Sequence, residues 1–484
     1  MNARDWFRPL EFGDGEPLVR IIEESSAEQL TGELAKALGK KATEDDLYLA
    51  AGRAALRSVR QEGPGSGKNP VGLYLLNSHR DLGARLPPDL RPYPLSAVAR
   101  RVRAEIYDPA YGPTRLLRFT SIAHGSKEEI RDAYLEAVLL GDSDTADHIF
   151  LWLLENLPPE EISDLLWTGG LEKVCLGSFK LLGAVETFHL AQALGWETAG
   201  VLLRGPVRHQ SHRLVGPNPF PDCRDRIAAE SLHQRAHRRL PGERGRGEDD
   251  PTGIWETALL WGSISPEERT TLAVRSIGGE WSLEDFWEAV SLGAAILFLG
   301  ATSAGVPVVE AVRQVVAVGG MRVMLRTGNL GQKILASLLV GRTRGFEEPA
   351  RQWVDQGVQL LEGSLRASKL SIDELGAALD GWQADAALGC VASASADLER
   401  VGGIGAILEH RLAFLDGLDG LGPLFHRVQT EAFQAGRSPH RWVHLAATAW
   451  LCALWPERGV VDDGALAKLA DRRRRDLAKK QRGR

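Results

Sequence analysis

Apolar residues recur every three or four positions along almost the whole chain, and this period constrains the fold more than any other feature. Such spacing places them on one face of a helix. No Asn-Gly or Asp-Gly turn separates two runs of alternating polarity, so strand signals are nearly absent. The sequence therefore predicts an all-α fold, a multi-helix array or bundle. The segments with this period are 26–40, 44–60, 127–140, 142–156, 172–194, 223–239, 266–277, 282–299, 306–326, 347–362, 371–388 and 439–455.

The length and one polar break predict how the chain is divided. With 484 residues, the chain is too long for one ordinary hydrophobic core. Residues 241–252 are charged and rich in glycine, which indicates a linker. We expect an N-terminal helical half (1–240), this linker, and a C-terminal helical half (253–460) packed on the first. The segment 461–484 contains RRRRDLAKKQRGR and predicts a basic helix or tail.

Charge and cysteine content exclude several classes of protein. The net charge of −6 gives no general attraction to DNA, RNA or anionic lipid, so we expect no nucleic-acid partner. The four cysteines, Cys175, Cys223, Cys390 and Cys452, stand far apart. This argues against a zinc ribbon, an iron–sulfur cluster or a disulfide framework, and is typical of a reducing compartment. The N-terminus has no apolar secretion signal, so the sequence predicts a cytoplasmic protein.

Two segments resemble functional elements and are interpreted otherwise. Residues 289–309 carry no charge, but they include several glycines and Pro307. We predict a buried core helix that breaks near Gly305, and no membrane span. Residues 63–68, GPGSGK, are similar to a phosphate-binding loop, but Glu62 occupies the position of its first glycine and Asn69 follows the lysine. No nucleotide cofactor is expected.

Two histidine pairs are the strongest hint of chemistry. His233 and His237 are separated by four positions, as are His440 and His444. This spacing places both imidazoles of a pair on one helical face, about one turn apart, which suits a shared metal ion. Glu230, at i, i+3 and i+7 with the first pair, is predicted to lie on the same face. All five residues, Glu230, His233, His237, His440 and His444, are candidate metal ligands. An alternative interpretation of His233 and His237 is a solvent-exposed helical face that is rich in arginine, and His444 is also what a buried core histidine would look like in sequence.

Three segments resemble the questin-oxidase-like proteins, which are bacterial and sometimes linked to Rieske domains. They are 69–88 (NPVGLYLLNSHRDLGARLPP), 179–197 (FKLLGAVETFHLAQALGWE) and 439–451 (PHRWVHLAATAWL). The resemblance covers about a third of the chain and implies an all-helical fold. It also implies an oxygenase for polycyclic aromatic quinones, with an iron centre held by histidines and a carboxylated lysine. The chain departs from the pattern at Asn69 and Asn77, where histidines are expected, and at Gly-Ser-Phe-Lys180, where Gly-His-Lys is expected.

Two functions follow from these observations. The first is a non-haem, iron-dependent oxygenase that acts on an aromatic or polycyclic small molecule, since several neutral histidines with an open position suit Fe(II) and O₂. The second is a catalytically degenerate helical scaffold that holds no metal and binds a protein partner. The missing histidines favour the second function, and the histidine pairs favour the first.

Overall fold

The computed structural model describes most of the chain. The described residues are 10–58, 70–108, 121, 123–173, 179–212, 218–237, 251–277, 279, 282–342, 350–367, 371–395, 398–415, 418–454 and 463–482. Throughout these ranges the regular structure is helical, with no strand, so the predicted all-α fold is confirmed. Most of the predicted linker 241–252 lies outside the described residues, and a helix begins at Pro251.

The helices alternate with short connections along the chain. The first thirteen are α1 (Glu16–Glu24), α2 (Ala27–Lys40), α3 (Glu44–Arg57), α4 (Val71–Arg85), α5 (Pro92–Ile106), α6 (Lys127–Leu140), α7 (Ser143–Asn156), α8 (Pro159–Glu172), α9 (Phe179–Leu194), α10 (Ala199–Leu202), α11 (Arg204–Ser211), α12 (Phe220–Ala229) and α13 (Leu232–His237). The others are α14 (Pro251–Ser263), α15 (Pro266–Ile277), α16 (Leu283–Ser303), α17 (Val308–Arg322), α18 (Met324–Thr327), α19 (Leu330–Leu339), α20 (Ala350–Ala367), α21 (Leu375–Asp380), α22 (Ala384–Ala394), α23 (Leu398–Ala413), α24 (Gly422–Ala435), α25 (Val443–Leu454) and α26 (Asp463–Arg482). Single 3₁₀ turns occupy Gly13–Gly15, Trp196–Thr198, Val340–Arg342, Ile372–Glu374, Leu418–Gly420 and Pro439–Trp442.

Side-chain caps explain where several helices start. The Thr43 hydroxyl accepts a hydrogen bond from the backbone N–H of Asp46, and the Asp46 carboxylate accepts one from the backbone N–H of Thr43. This reciprocal arrangement satisfies two N–H groups that have no partner within the helix. Ser282 caps α16, because its hydroxyl accepts a hydrogen bond from the backbone N–H of Asp285 at 3.0 Å. A short polar side chain at each position therefore sets the helix start.

Two central helices organise the packing. Helix α4 packs against α3, α5, α9 and α24, while α16 packs against α14, α17, α20 and α25. Contacts of α9 with α17, α4 with α24 and α8 with α19 join helices from the two predicted halves. The buried apolar residues accordingly form one large cluster that runs from Val19 to Leu466.

Helix α16 is the one described helix that is long and apolar enough to cross a membrane. However, 94% of its most apolar window is buried inside the protein. The helix ends at Ser303, and Gly305 adopts a positive φ of +88°, close to the predicted break. Neighbouring helices therefore cover the apolar surface of α16, which is typical of a core helix.

Candidate functional site

The first histidine pair does not share one helical face with Glu230. We predicted a single helix over 223–239, but α12 ends at Ala229 and α13 starts at Leu232. Ser231 between them has φ +53°, a conformation that interrupts the helix. The prediction that Glu230 lies on the same face is therefore wrong. The Glu230 carboxylate instead forms ion pairs with Arg226 at 2.9 Å and Arg235 at 3.3 Å.

The histidines of this pair lie at one edge of the fold. His233 is exposed and its ring lies beside Gly331 of α19. His237 is the last residue of α13, and its side chain lies outside the described residues. Helix α13 packs against α12, α15 and α19. The metal-ligand role of both histidines stays a prediction.

The second pair is divided between two kinds of helix. His440 lies in the 3₁₀ turn Pro439–Trp442, which Ser438 caps, and His444 lies in α25. The His440 ring stacks on Trp255 of α14 with 4.3 Å between ring centroids. His444 is buried, and its Nδ1 is hydrogen-bonded to Oε1 of Gln429 in α24. The two imidazoles are thus engaged with different neighbours.

The described residues do not fit the iron centre that the resemblance implies. Within the described ranges, no group of three or more His, Cys, Asp or Glu side chains is arranged to hold a metal ion. The α25 helix packs on α16, α22 and α24, a different set of neighbours from that of α13. At position 77, where the resemblance leads us to expect a histidine, the Asn77 amide donates to the Glu186 carboxylate at 3.1 Å.

Glu186 belongs to a row of charged groups between the two halves, which we call the ionic seam. The seam consists of Asp81 (α4), Glu186 (α9), Arg427 and Glu431 (α24), and Arg326 (α18). The Arg427 guanidinium pairs with Glu186 and lies 3.3 Å from Asp81 and 3.8 Å from Glu431. Arg326 pairs with Glu431 at 2.6 Å. These paired charges tie α24 to α4 and α9, although the Nε atom of Arg427 has no hydrogen-bond partner among the described residues.

A cavity of about 190 Å³ adjoins the ionic seam, and we call it the α16–α24 cavity. Its floor and walls come from α16, α17, α18 and α24. The lining residues are Glu284, Glu288, Gly319, Arg322, Val323, Leu325, Arg326, Val428, Glu431, Ala435 and Arg437. A cavity of this size suits a ligand smaller than a drug molecule or a polycyclic aromatic.

Gly319 permits the close approach of α17 and α24 at this cavity. A Cβ atom at position 319 would lie 2.4 Å from Cγ1 of Val428, well inside van der Waals contact. The missing side chain leaves Val428 as an apolar wall directly against the α17 backbone. Arg322 follows one turn later on the same helix and lines the same cavity.

Arg322 is the unusual charge in this cavity. Arg326 is paired with Glu431, and Arg437 with Asp285. Among the described residues, none forms a hydrogen bond or ion pair with the half-buried Arg322. Burial lowers the pKa of Arg322, and the carboxylates of Glu431 and Glu288 act against that shift from a distance. The cavity therefore presents a guanidinium whose five N–H donors are available.

His444 lies behind Arg322. Burial, with the positive charge of Arg322 as a second cause, lowers the pKa of His444 to about 3, so the ring is neutral at pH 7. Its Nε2 atom and the Nε2 atom of Gln429 are buried and have no hydrogen-bond partner in the part of the chain that the structure describes. Unsatisfied buried polar atoms of this kind cost about 1–3 kcal/mol each. The region around Arg322 is thus less completely paired than the ionic seam.

The sequence patterns singled out the histidines and missed Arg322 and Glu288. Arg322 is a lone charge inside the apolar run VVAVGGMRVML, and Glu288 is the last charge before the charge-free residues 289–309. A charge that must be buried with its apolar neighbours is the signal that identifies such positions. Their proximity depends on the packing of α16 against α17, which no local pattern predicts.

Comparisons with known proteins give no further support for any identity. No family model, curated protein or solved structure matches the chain. The questin-oxidase-like resemblance accordingly stays a prediction that rests on the three segments quoted above. The function has to be argued from the geometry of the α16–α24 cavity.

Proposed function

We propose that the protein binds a small organic anion in the α16–α24 cavity and holds its carboxylate at Arg322. One observation carries this proposal: the Arg322 guanidinium lies on the cavity wall and has no partner among the described residues. This makes the chain a helical binding protein. It agrees with the scaffold interpretation of the sequence in requiring no metal, but its ligand is a small molecule.

The chemistry of the cavity supports a carboxylate in particular. A guanidinium is planar and donates two parallel hydrogen bonds to a carboxylate. In this cavity the pair would be shielded from water by Gly319, Val323 and Val428, which strengthens it. The other two arginines on the wall, Arg326 and Arg437, already have carboxylate partners. The ligand's negative charge is therefore expected at Arg322.

Calorimetry with a matched pair of ligands tests the proposal. We would titrate the full-length protein with 4-methylpentanoate and with its uncharged amide at low ionic strength. The acid should bind, and the amide should bind at least tenfold more weakly, because a hydrogen bond to a charged group contributes about 1.5–3 kcal/mol. The variant Arg322→Gln should lose the same factor for the acid. Arg313→Gln, an exposed arginine on the same helix that pairs with Asp419, is the matched control and should bind as the wild type does.

Three results would contradict the proposal. The first is an absence of binding at millimolar acid, and the second is equal affinity for the acid and the amide. The third is an Arg322→Gln variant that binds the acid as tightly as Arg313→Gln does. Unchanged circular dichroism and melting temperature of both variants ensure that a loss of binding reports on the cavity.

A non-haem iron oxygenase is the second candidate, and one observation favours it. The Nε2 atom of His444 is buried and lacks a hydrogen-bond partner among the described residues, as a ligand nitrogen does before it binds metal. The test is elemental analysis after reconstitution with Fe(II) under argon. The binding-protein proposal predicts less than about a tenth of an equivalent of iron, whereas a catalytic site must retain its metal. One equivalent of iron that His444→Ala and His440→Ala remove would establish the oxygenase and overturn this expectation.

A further inference from the structure

Glu288 faces the same cavity as Arg322 and carries the opposite charge. It lies on α16, and its side chain is only 4% exposed. Its Oε1 atom accepts hydrogen bonds from the backbone N–H groups of Arg437, at 2.8 Å, and Ser438, at 2.6 Å. Among the described residues, no Lys, Arg or His forms an ion pair with this carboxylate. A buried carboxylate without a countercharge is expensive, since hydrogen bonds alone compensate only part of its lost hydration.

Arg322 lines the cavity from α17 and Glu288 lines it from α16, and the two do not neutralise each other directly. They form no ion pair, although burial lowers the pKa of Arg322 and the negative charge of Glu288 partly offsets that shift. The Arg322 guanidinium and the Glu288 carboxylate therefore interact electrostatically at a distance, but they form no hydrogen bond or ion pair. A ligand that lies between them would have to present a negative group to α17 and a positive group to α16.

Apart from the exposed carboxylate of Glu284, the remaining lining of the cavity is apolar or already paired. Val323, Leu325 and Val428 supply branched side chains, and Gly319 and Ala435 supply small ones. Such walls fit a short aliphatic group. A dicarboxylate would bring its second charge to Glu288, and a diamine would bring one to Arg322, so both are disfavoured by like-charge repulsion.

We infer that the ligand is a zwitterion of the apolar α-amino acid type, with its carboxylate at Arg322, its ammonium at Glu288, and its aliphatic side chain against the Val428 wall. This inference rests on the proposed function, because it assigns a second contact to the same ligand. An ammonium group donates three hydrogen bonds and matches the second oxygen of Glu288, which accepts none from a described residue.

Three ligands that differ only in their charged groups test the inference on the wild-type protein. They are L-leucine, 4-methylpentanoate, which lacks the ammonium, and 3-methylbutylamine, which lacks the carboxylate. Isothermal titration at pH 7 and low ionic strength should show leucine binding at least tenfold more tightly than either analogue. The variant Glu288→Gln should reduce leucine affinity at least tenfold, and it should not weaken the binding of 4-methylpentanoate, because the substitution removes a negative charge that repels this anion.

The Glu288→Gln variant keeps the local fold, because its amide oxygen can still accept from the backbone N–H groups of Arg437 and Ser438. Glu310→Gln is the control, since Glu310 is an exposed carboxylate on α17 that does not line the cavity. We expect it to bind leucine within about twofold of the wild type, as is usual for an exposed charge.

The outcomes separate this inference from the proposed function. If leucine and 4-methylpentanoate bind equally, the zwitterion inference is overturned and the anion-binding proposal stands. If none of the three ligands binds, both fail. If leucine binds tightly but neither Arg322→Gln nor Glu288→Gln weakens it, the site lies elsewhere and both fail. Tighter leucine binding that depends on both residues supports both.

Discussion

Replacing Gly300 by alanine should destabilise the fold, although alanine is the better helix former. A Cβ at position 300 of α16 would lie 1.7 Å from the backbone oxygen of Trp353 in α20. Its counterpart at Gly357 of α20 would lie 2.4 Å from the backbone oxygen of Ile296 in α16. The two backbones are thus in direct contact, and relief of the clash requires the helices to separate by more than an ångström.

The magnitude follows from two opposing effects. Overpacking a filled core costs about 1–3 kcal/mol and occasionally more. Replacing glycine by alanine inside a helix raises the free energy of unfolding by up to about 1 kcal/mol. Because the obstacle is backbone, which cannot rotate away as a side chain can, and because α16 is also held by α14, α17 and α25, we expect the upper part of the range. Gly300→Ala should therefore lower the free energy of unfolding by about 2 kcal/mol.

Urea denaturation followed by far-ultraviolet circular dichroism measures this effect, with the slope of the transition checked against the wild type. Gly363→Ala is the matched control on α20, because Gly363 is exposed and a Cβ there meets nothing within 4 Å. It should stabilise the protein by about 0.5–1 kcal/mol. A Gly300→Ala protein as stable as the wild type would falsify the close contact between α16 and α20.

Two further predictions concern buried polar groups. Asp147 is buried, and its carboxylate accepts hydrogen bonds from Arg204 at 2.7 Å and Arg208 at 3.0 Å. Asp147→Asn should therefore lower the free energy of unfolding, measured by urea denaturation, by about 3–5 kcal/mol. A loss below about 1 kcal/mol would contradict this prediction. Burial lowers the pKa of His79 from 6.5 to about 4. Between these two pH values the unfolded chain is protonated at His79 and the folded chain is not, so the free energy of unfolding falls as the pH drops from 6.5 towards 4. His79→Asn should reduce this slope by up to about 1.4 kcal/mol per pH unit and leave the slope above pH 7.5 unchanged; identical slopes in the acid range would refute the assignment.

The period of the apolar residues predicted the helical fold class and most of the quoted helical segments, because that period is a local property of each segment. It did not predict the division of 371–388, where α21 ends at Asp380 and α22 starts at Ala384. By contrast, the buried helix near 289–309 was predictable: its lack of charge and the glycine at 305 predicted both its burial and its end. The structure places the helix at Leu283–Ser303, followed by Gly305 with positive φ. The start was equally predictable from Ser282, whose hydroxyl caps the first turn.

The prediction that Glu230 shares a helical face with His233 and His237 was wrong because local spacing was taken to imply three-dimensional neighbours. The sequence near Ser231 gives no sign of a helix break, because the residue with positive φ is a serine and no glycine or proline lies beside it. The spacing of His440 and His444 was correct in sequence, but a 3₁₀ turn separates the residues into different helices. In both cases the packing of distant segments overrode the local pattern.

The α16–α24 cavity was not predictable at all from periodicity. Arg322 and Glu288 lie on the consecutive helices α17 and α16, which pack on each other, and Gly319 lets α24 approach α17 closely. A single sequence shows that Arg322 interrupts an apolar run and that Glu288 precedes one, but not that they face the same space. Packing, which joins residues far apart in the chain, is what makes a site of them.

The burial of α16 also has a consequence for how the chain is synthesised. Its partner α14 precedes it, but α17, α20 and α25 all follow it along the chain. At ribosomal rates of about 5–20 residues per second, α20 emerges several seconds after α16. During this interval the long apolar helix α16 has only part of its covering in place. The nascent chain is therefore most prone to aggregation, and most dependent on chaperones, between the synthesis of α16 and that of α20.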